Sequence, residues 1–351
     1  MPVESYYLLS FLLGTILVVT LTPMVKRAGM ATGQVDKPDE RKIHKTPIVR
    51  IGGVSICCAS VGTLGGLYWM PGLDFLTPQE WQNIMGVTLG GCAFFAMGLA
   101  DDLWDLSPFK RLGLQFITVS ALWWQGLRID LSFLPWENAL VTQSLSFMIT
   151  FLWLAGVANA LNWMDGMDGL AAGVTGIIAF GLLFVTLDNG SKGMALLMAI
   201  IAGSAIAFLW YNFHPATIFM GDSGSNFLGF MLAGASLVGV ANEPGWGNTL
   251  APFVFLAIPI GDMVVVINAR LRKGMSPFFA DQIHIHHRLL AKGLSQTMTA
   301  LLIYTVTLWT GTVGLICCGI EQAWIYFIPA TILLVIMIVQ LQPSRKLEKK
   351  E

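Results

Sequence analysis

The chain has 351 residues, of which 55% are hydrophobic and only 12% charged, with a formal net charge of −1. Soluble domains carry about twice that share of charge, and the mean hydropathy here is +0.68, so a water-exposed globular surface is excluded. The near-zero net charge argues against a nucleic-acid partner. What remains is an integral membrane protein.

Apolar runs long enough to cross a bilayer are predicted at about 6–25, 51–70, 83–100, 111–127, 144–161, 169–187, 193–211, 225–241, 249–270, 298–319 and 322–341. Only Glu4 and polar residues precede the first run, so no cleavable signal peptide is expected. Lys26 and Arg27 follow that run, which places the N-terminus outside and the C-terminus in the cytoplasm. With eleven spans so oriented, 18 of the 20 basic residues fall inside, leaving only Arg128 and Lys192 outside. Trp69, Trp81, Trp136, Trp246 and Trp324 then stand near outer ends, as an interfacial aromatic belt requires. The predicted fold is an all-α polytopic helical bundle forming one domain over residues 1–351. Cys57, Cys58, Cys92, Cys317 and Cys318 lie in apolar runs without a CxxC pair, and read as small apolar helix residues.

The polar residues gather in five clusters, all on the predicted inner face. The first runs from Asp36 and Lys37 through Arg41, Lys42 and His44 to Arg50-Ile51-Gly52-Gly53. The second is Asp101, Asp102 and Asp105, where helical spacing puts Asp101 and Asp105 on one side and Asp102 off it. Three acids this close repel one another unless a cation or protons intervene; they suit Mg²⁺ or a catalytic base, or else they cap the next helix.

In the third cluster, Asn159, Asn162, Asp165 and Asp168 recur three apart, a slanted stripe on a helix, with Gly166 and Gly169 directly after the acids. The fourth holds His214-Pro215 and Met220-Gly221-Asp222-Ser223-Gly224-Ser225. Here a helix N-terminus could present N–H groups to phosphate while Asp222 holds a metal. The fifth is Asp281, His284, His286, His287 and Arg288. It suits either zinc, with Asp281 as third ligand, or an anion gripped by imidazoles and Arg288, and the anion is favoured because the acids elsewhere already offer a Mg²⁺ site. Asp262 is the one acid set within an apolar run, in a functional or a packing role.

Acids for Mg²⁺, glycine-serine turns and basic residues on one face of a membrane body suit a cytosolic phosphate-bearing donor meeting a lipid phosphate. Taken in order, Asp-Asp-x-x-Asp, Asn-x-x-Asn-x-x-Asp-Gly-x-Asp-Gly-Leu, Gly-Asp-Ser-Gly-Ser and His-x-His-His-Arg-Leu-Leu resemble the motifs of the polyprenyl-phosphate N-acetylhexosamine-1-phosphate transferases. The resemblance runs from about residue 30 to about 293. Asp105 stands where the muramoyl-pentapeptide branch carries Lys, and Ile285 interrupts the histidines. The chain therefore looks closer to the branch that uses UDP-GlcNAc and undecaprenyl phosphate, which Lys37, Arg41 and His44 also fit.

The resemblance implies transfer of GlcNAc-1-phosphate to a polyprenyl phosphate at the cytoplasmic face of the plasma membrane, with release of UMP. Another UDP-N-acetylhexosamine or UDP-MurNAc-pentapeptide is the alternative donor, and a homodimer is compatible with the reading. It implies Mg²⁺, with Mn²⁺ as a substitute, on Asp222 and Asn162. Asp101 and Asp102 would face the lipid phosphate, Asp165 and Asp168 the nucleotide, and His286, His287 and Arg288 would steady phosphates. Lys37, Arg41, His44, Asp105, Asn159, Asn162 and His284 complete the implied substrate contacts. Deprotonating the lipid phosphate would gain little, because a phosphate monoester with a second pKa near about 6 is already a dianion at neutral pH. Two other classes compete: a cation-coupled transporter, whose acids should lie near the bilayer midplane, and an intramembrane aspartyl protease, which needs a second buried acid beside Asp262.

Overall fold

In the computed structural model, residues 2–36, 47–131, 138–278 and 283–341 are described. Lys37, Arg41, His44 and Asp281 lie outside them, as does Trp136. The helices are α1 (Val3–Thr32), α2 (Gly53–Tyr68), α3 (Pro78–Trp104), α4 (Pro108–Trp124), α5 (Ala139–Met164), α6 (Leu170–Asp188), α7 (Lys192–Asn212), α8 (Gly221–Ser236), α9 (Trp246–Phe255), α10 (Ala257–Arg272), α11 (Ile285–Ala291), α12 (Gln296–Cys317) and α13 (Ala323–Leu341). Each predicted apolar run falls on one of them, except 249–270, which is divided between α9 and α10.

Eight of the described helices are long and apolar enough to cross a membrane, and the α9–α10 pair, bent by 68°, makes a ninth when counted as one broken span. The 16 residues of α2 fall just short of the usual length for a crossing, and the 17 of α4 stand at its lower limit. The chain is a multi-pass membrane protein. The helix starts follow local chemistry: Thr77 and Glu80 form a reciprocal cap at α3, Asn138 accepts the N–H groups of Leu140 and Val141 at α5, and Ser295 accepts that of Met298 at α12. A π-helical turn, Leu237–Ala241, continues α8. The α9–α10 break at Leu256 is flanked by Pro252 and Pro259, each of which lacks the N–H a continuous helix would use.

The centre of the bundle is α6, α7 and α8, with 72%, 83% and 89% of their apolar windows buried; the 11% of α13 leaves that helix at the lipid-facing edge. Small residues let the helices meet closely, as lipid-embedded packing favours. A Cβ at Gly98 of α3 would stand 2.6 Å from the backbone nitrogen of Ser223, so α3 touches the first turn of α8 backbone to backbone. A two-residue ladder pairs β1 (Val35–Asp36) antiparallel with β2 (Ile48–Val49), and Val49 bridges Ile218 in parallel. The N–H groups of Gly52 and Gly53 donate to the carbonyls of Phe219 and Met220 at 2.9 and 2.8 Å. The segment entering α2 is thereby laced to the segment entering α8, and both border the site.

Candidate active site

A cavity of about 740 Å³ opens where the ends of α3, α5, α7 and α8 converge. Asp101, Asp102 and Asp105 reach it from the end of α3, and Asp165 and Asp168 from the turn between α5 and α6. Asp222 enters from α8, Asp36 from β1 and Arg50 from just beyond β2. His214 and His287 complete its ionisable lining. Seven aspartates against one arginine and two histidines make a negative cavity, which repels a phosphate-bearing ligand unless a cation comes with it.

Arg111, near the start of α4, organises the acids. Its Nη1 donates to Asp101 and, at 2.9 Å, to Oδ2 of Asp222. One guanidinium therefore draws together carboxylates from α3 and α8. Asp102 is spent differently. Its two oxygens accept the backbone N–H groups of Asp222 at 2.9 Å and Ser223 at 3.0 Å, and it is only 7% exposed. It caps the first turn of α8, whose own N-cap residue, Met220, makes no side-chain bond. Gly221 sits there at φ 73°, and a Cβ on it would lie 2.7 Å from Oδ2 of Asp102.

Those bonds correct two sequence expectations. The α8 N–H groups proposed for phosphate are occupied by Asp102, so that carboxylate serves the backbone as well as facing the cavity. Asp101 and Asp105 do not share a face, because α3 ends at Trp104 and Asp105 turns to φ 49°. The Asp105 side chain is 95% exposed, 3.7 Å from Arg50.

The stripe of Asn159, Asn162, Asp165 and Asp168 is also broken, because α5 stops at Met164. Asn159 exchanges hydrogen bonds with Gln115 of α4, and Asn162 donates to Ser225 at 3.0 Å; neither lines the cavity. Asn162 is thus a strut between α5 and α8. Asp168 accepts the Ala216 N–H at 3.1 Å and holds Nδ1 of His214 at 2.8 Å. Asp165, in the recess beside Asp222, has its carboxyl pushed up to about 8, first by burial and then by the charges of Asp222, Asp102 and Asp168.

Of the histidine segment, only His287 lines the cavity. His284 is paired with Asp262, their nearest atoms 2.7 Å apart, and His286 is 1% exposed. Burial, with His287 and His284 beside it, lowers the pKa of His286 to about 4. A buried neutral imidazole cannot grip phosphate as a cation, and Arg288 projects to the exposed side of α11. The metal-type arrangement fails too: α11 begins at Ile285, and the rings of His284 and His286 stack 5.7 Å apart at 16° instead of converging.

Arg111 is the functional side chain that the sequence motifs do not reveal. Among the described residues no three His, Cys, Asp or Glu side chains form a ready chelate. That suits Mg²⁺, which takes one or two carboxylates and completes its shell with water and substrate phosphates. Asp222 and Asp101, already sharing one cationic group, are the donors that fit.

Residues 84–240 match glycosyl transferase family 4. A probable undecaprenyl-phosphate N-acetylglucosaminyl 1-phosphate transferase of Bacillus subtilis (strain 168) is 34% identical over 303 residues, covering 85% of this chain and 81% of the relative. The chain belongs to this family. Decaprenyl-phosphate N-acetylglucosaminephosphotransferase of Mycobacterium tuberculosis (strain ATCC 25618 / H37Rv) is 32% identical over 317 residues, covering 84% and 77%. An undecaprenyl-phosphate alpha-N-acetylglucosaminyl 1-phosphate transferase of Yersinia pestis is 28% identical over 308 residues, covering 84% and 79%. The family segment runs from α3 to the π-helical turn, and so contains Asp101, Arg111, Asp165, Asp168 and Asp222 but not His287.

Proposed function

We propose that this protein transfers GlcNAc-1-phosphate from UDP-GlcNAc to undecaprenyl phosphate, at the cytoplasmic face of the plasma membrane. The observation that carries the reading is the cavity itself: carboxylates from α3, α5 and α8 meet at helix ends, around a space large enough for a nucleotide sugar. The names of the relatives supply the lipid phosphate and the GlcNAc-1-phosphate group, the motif resemblance supplies the UDP carrier, and, with eleven spans, the inner bias of 18 of 20 basic residues supports the face. The position of the acids at helix ends, away from the middle of the spans, disfavours a transporter.

In the reaction an oxygen of the lipid phosphate forms a bond to the β-phosphorus of the donor. The bond between that phosphorus and the bridging oxygen breaks, and UMP leaves with the electron pair. Asp222 and Asp101 would hold Mg²⁺, which when bound supplies charge neutralisation between the phosphates. Arg111 keeps the two carboxylates in register. Asp102 fixes the first turn of α8, so that Asp222 faces the cavity. Asp165 and Asp168 border the nucleotide, with Asp168 fixed by His214 and the Ala216 N–H. His287 meets the phosphates from α11.

The test is UMP release by purified protein given undecaprenyl phosphate, Mg²⁺ and UDP-GlcNAc. Lipid-dependent release that is lost without Mg²⁺ and in Asp222→Ala supports the reading. Release from a different UDP-sugar overturns the donor and keeps the chemistry. No release from any UDP-sugar by folded protein overturns the transferase.

A further inference from the structure

Asp262 lies in the first half of α10, 8% exposed and outside the cavity lining. Both of its oxygens are engaged by one short stretch of chain. Oδ2 is 2.7 Å from Nδ1 of His284, and Oδ1 accepts the backbone N–H of Ile285 at 2.7 Å. A buried carboxylate is costly unless paired and hydrogen-bonded, and here all of that pairing is given to the entry of α11. From this anchor the rings continue toward the site: His284 stacks on His286, and His286 lies 4.3 Å from His287.

His286 faces the α5–α6 turn. A Cβ on Gly166 would stand 2.6 Å from its Nε2. The end of α5 that leads into this turn is approached from α10, because Arg270 stacks 5.0 Å over the ring of Trp163, which in turn packs edge-on against His284.

We propose that Asp262 is a positioning residue for the transferase. Through His284 and the Ile285 backbone it sets the pose of α11, and with it the place of His287 in the cavity. The inference rests on the transferase reading for what His287 does, and on the geometry alone for how α11 is held. The Asp262 carboxylate also fixes His284 as an Nδ1–H donor. In Asp262→Asn an amide N–H₂ can face that nitrogen only if the imidazole changes tautomer, while the Ile285 N–H can keep its acceptor.

The experiment has a kinetic arm and an arm independent of activity. Asp262→Asn is expected to lower kcat by about 10²-fold, the effect of a small misplacement of a reacting geometry, with thermal stability in detergent nearly unchanged. In a His287→Ala background the same substitution is expected to cost less than about threefold, since residues acting through one another are not additive. Hydrogen exchange of the amides from Ile285 to Leu289 should accelerate in Asp262→Asn. His284→Asn breaks the link from its other end, and replaces Asp262→Asn throughout should that variant not fold. Additive losses with His287→Ala, or unchanged exchange in α11, overturn the proposal. A wild-type protein that releases no UMP sinks the transferase reading instead, and the exchange arm still decides whether Asp262 holds α11.

Discussion

Asp102 of α3 accepts the backbone N–H of Asp222 at 2.9 Å, across 120 residues of chain. The first turn of α8 is capped from outside its own sequence, by an acid adjacent to one that shares a guanidinium with Asp222. Two neighbouring acids thus have separable work, and substitution should separate them. Asp102→Ala removes a capping acceptor and should cost about 1–2 kcal/mol, lowering thermal stability and activity together. Asp101→Asn leaves the cap intact and should lower activity with little change in melting. Melting curves and UMP release on both variants check this, and equal destabilisation by the two would refute the division.

A pH dependence follows from Asp165, whose carboxyl is pushed up to about 8. The unfolded chain gives up that proton near about 4, whereas the folded protein keeps it. Its contribution to stability is therefore complete below that lower value and is lost as pH rises through about 8. Thermal unfolding of wild type should drop between pH 5 and pH 9, and Asp165→Asn should flatten the drop, gaining most at pH 9. Parallel curves for the two proteins would show that Asp165 titrates normally.

Arg111 holds the oxygens that a divalent cation would use. Arg111→Ala should therefore bind Mn²⁺ several-fold more tightly, the worth of an ion pair of about 1 kcal/mol no longer competing. The variant should nevertheless turn over more slowly, because the two carboxylates lose their common tether. Electron paramagnetic resonance titration of Mn²⁺ reads the affinity, with Asp222→Ala expected to weaken it. Weaker binding in Arg111→Ala would mean that the guanidinium builds the cation site rather than competing for it.

Gly98 marks the closest approach of α3 to the start of α8. Gly98→Ala should cost about 1–3 kcal/mol by overpacking, and should slow UMP release by displacing Asp222. Gly156→Ala on α5, where a Cβ would meet nothing within 4 Å, is the control that should leave both properties intact. A silent Gly98→Ala would show that the two helices have slack at this crossing.

The helices were legible because an apolar run of membrane length is a one-dimensional signal, and each predicted run falls on helix, although eight described helices, or nine with the bent α9–α10 pair, meet the length and hydropathy of a crossing where eleven were expected. The acids of the cavity were legible for a similar reason: Asp101, Asp102, Asp105, Asp165, Asp168 and Asp222 are conspicuous in apolar surroundings, and all reach it. Partnership is what the spacing could not convey. Nothing in the sequence distinguishes Arg111 from Lys110, yet only the former turns to Asp101 and Asp222. The Asn159–Asp168 stripe presumed a continuous helix, and the end of α5 at Met164 removed its second half. Within His284–Arg288 the helix start at Ile285 decides which ring is buried and which faces the cavity.

The separation of the site's parts along the chain has a consequence for biosynthesis. Asp101 closes α3, Asp165 follows α5, Asp222 opens α8 and His287 rides on α11. A chain that ends before residue 287 holds every acid of the cavity but not the histidine that α11 brings, so on the proposed reading the site is completed only when α11 docks.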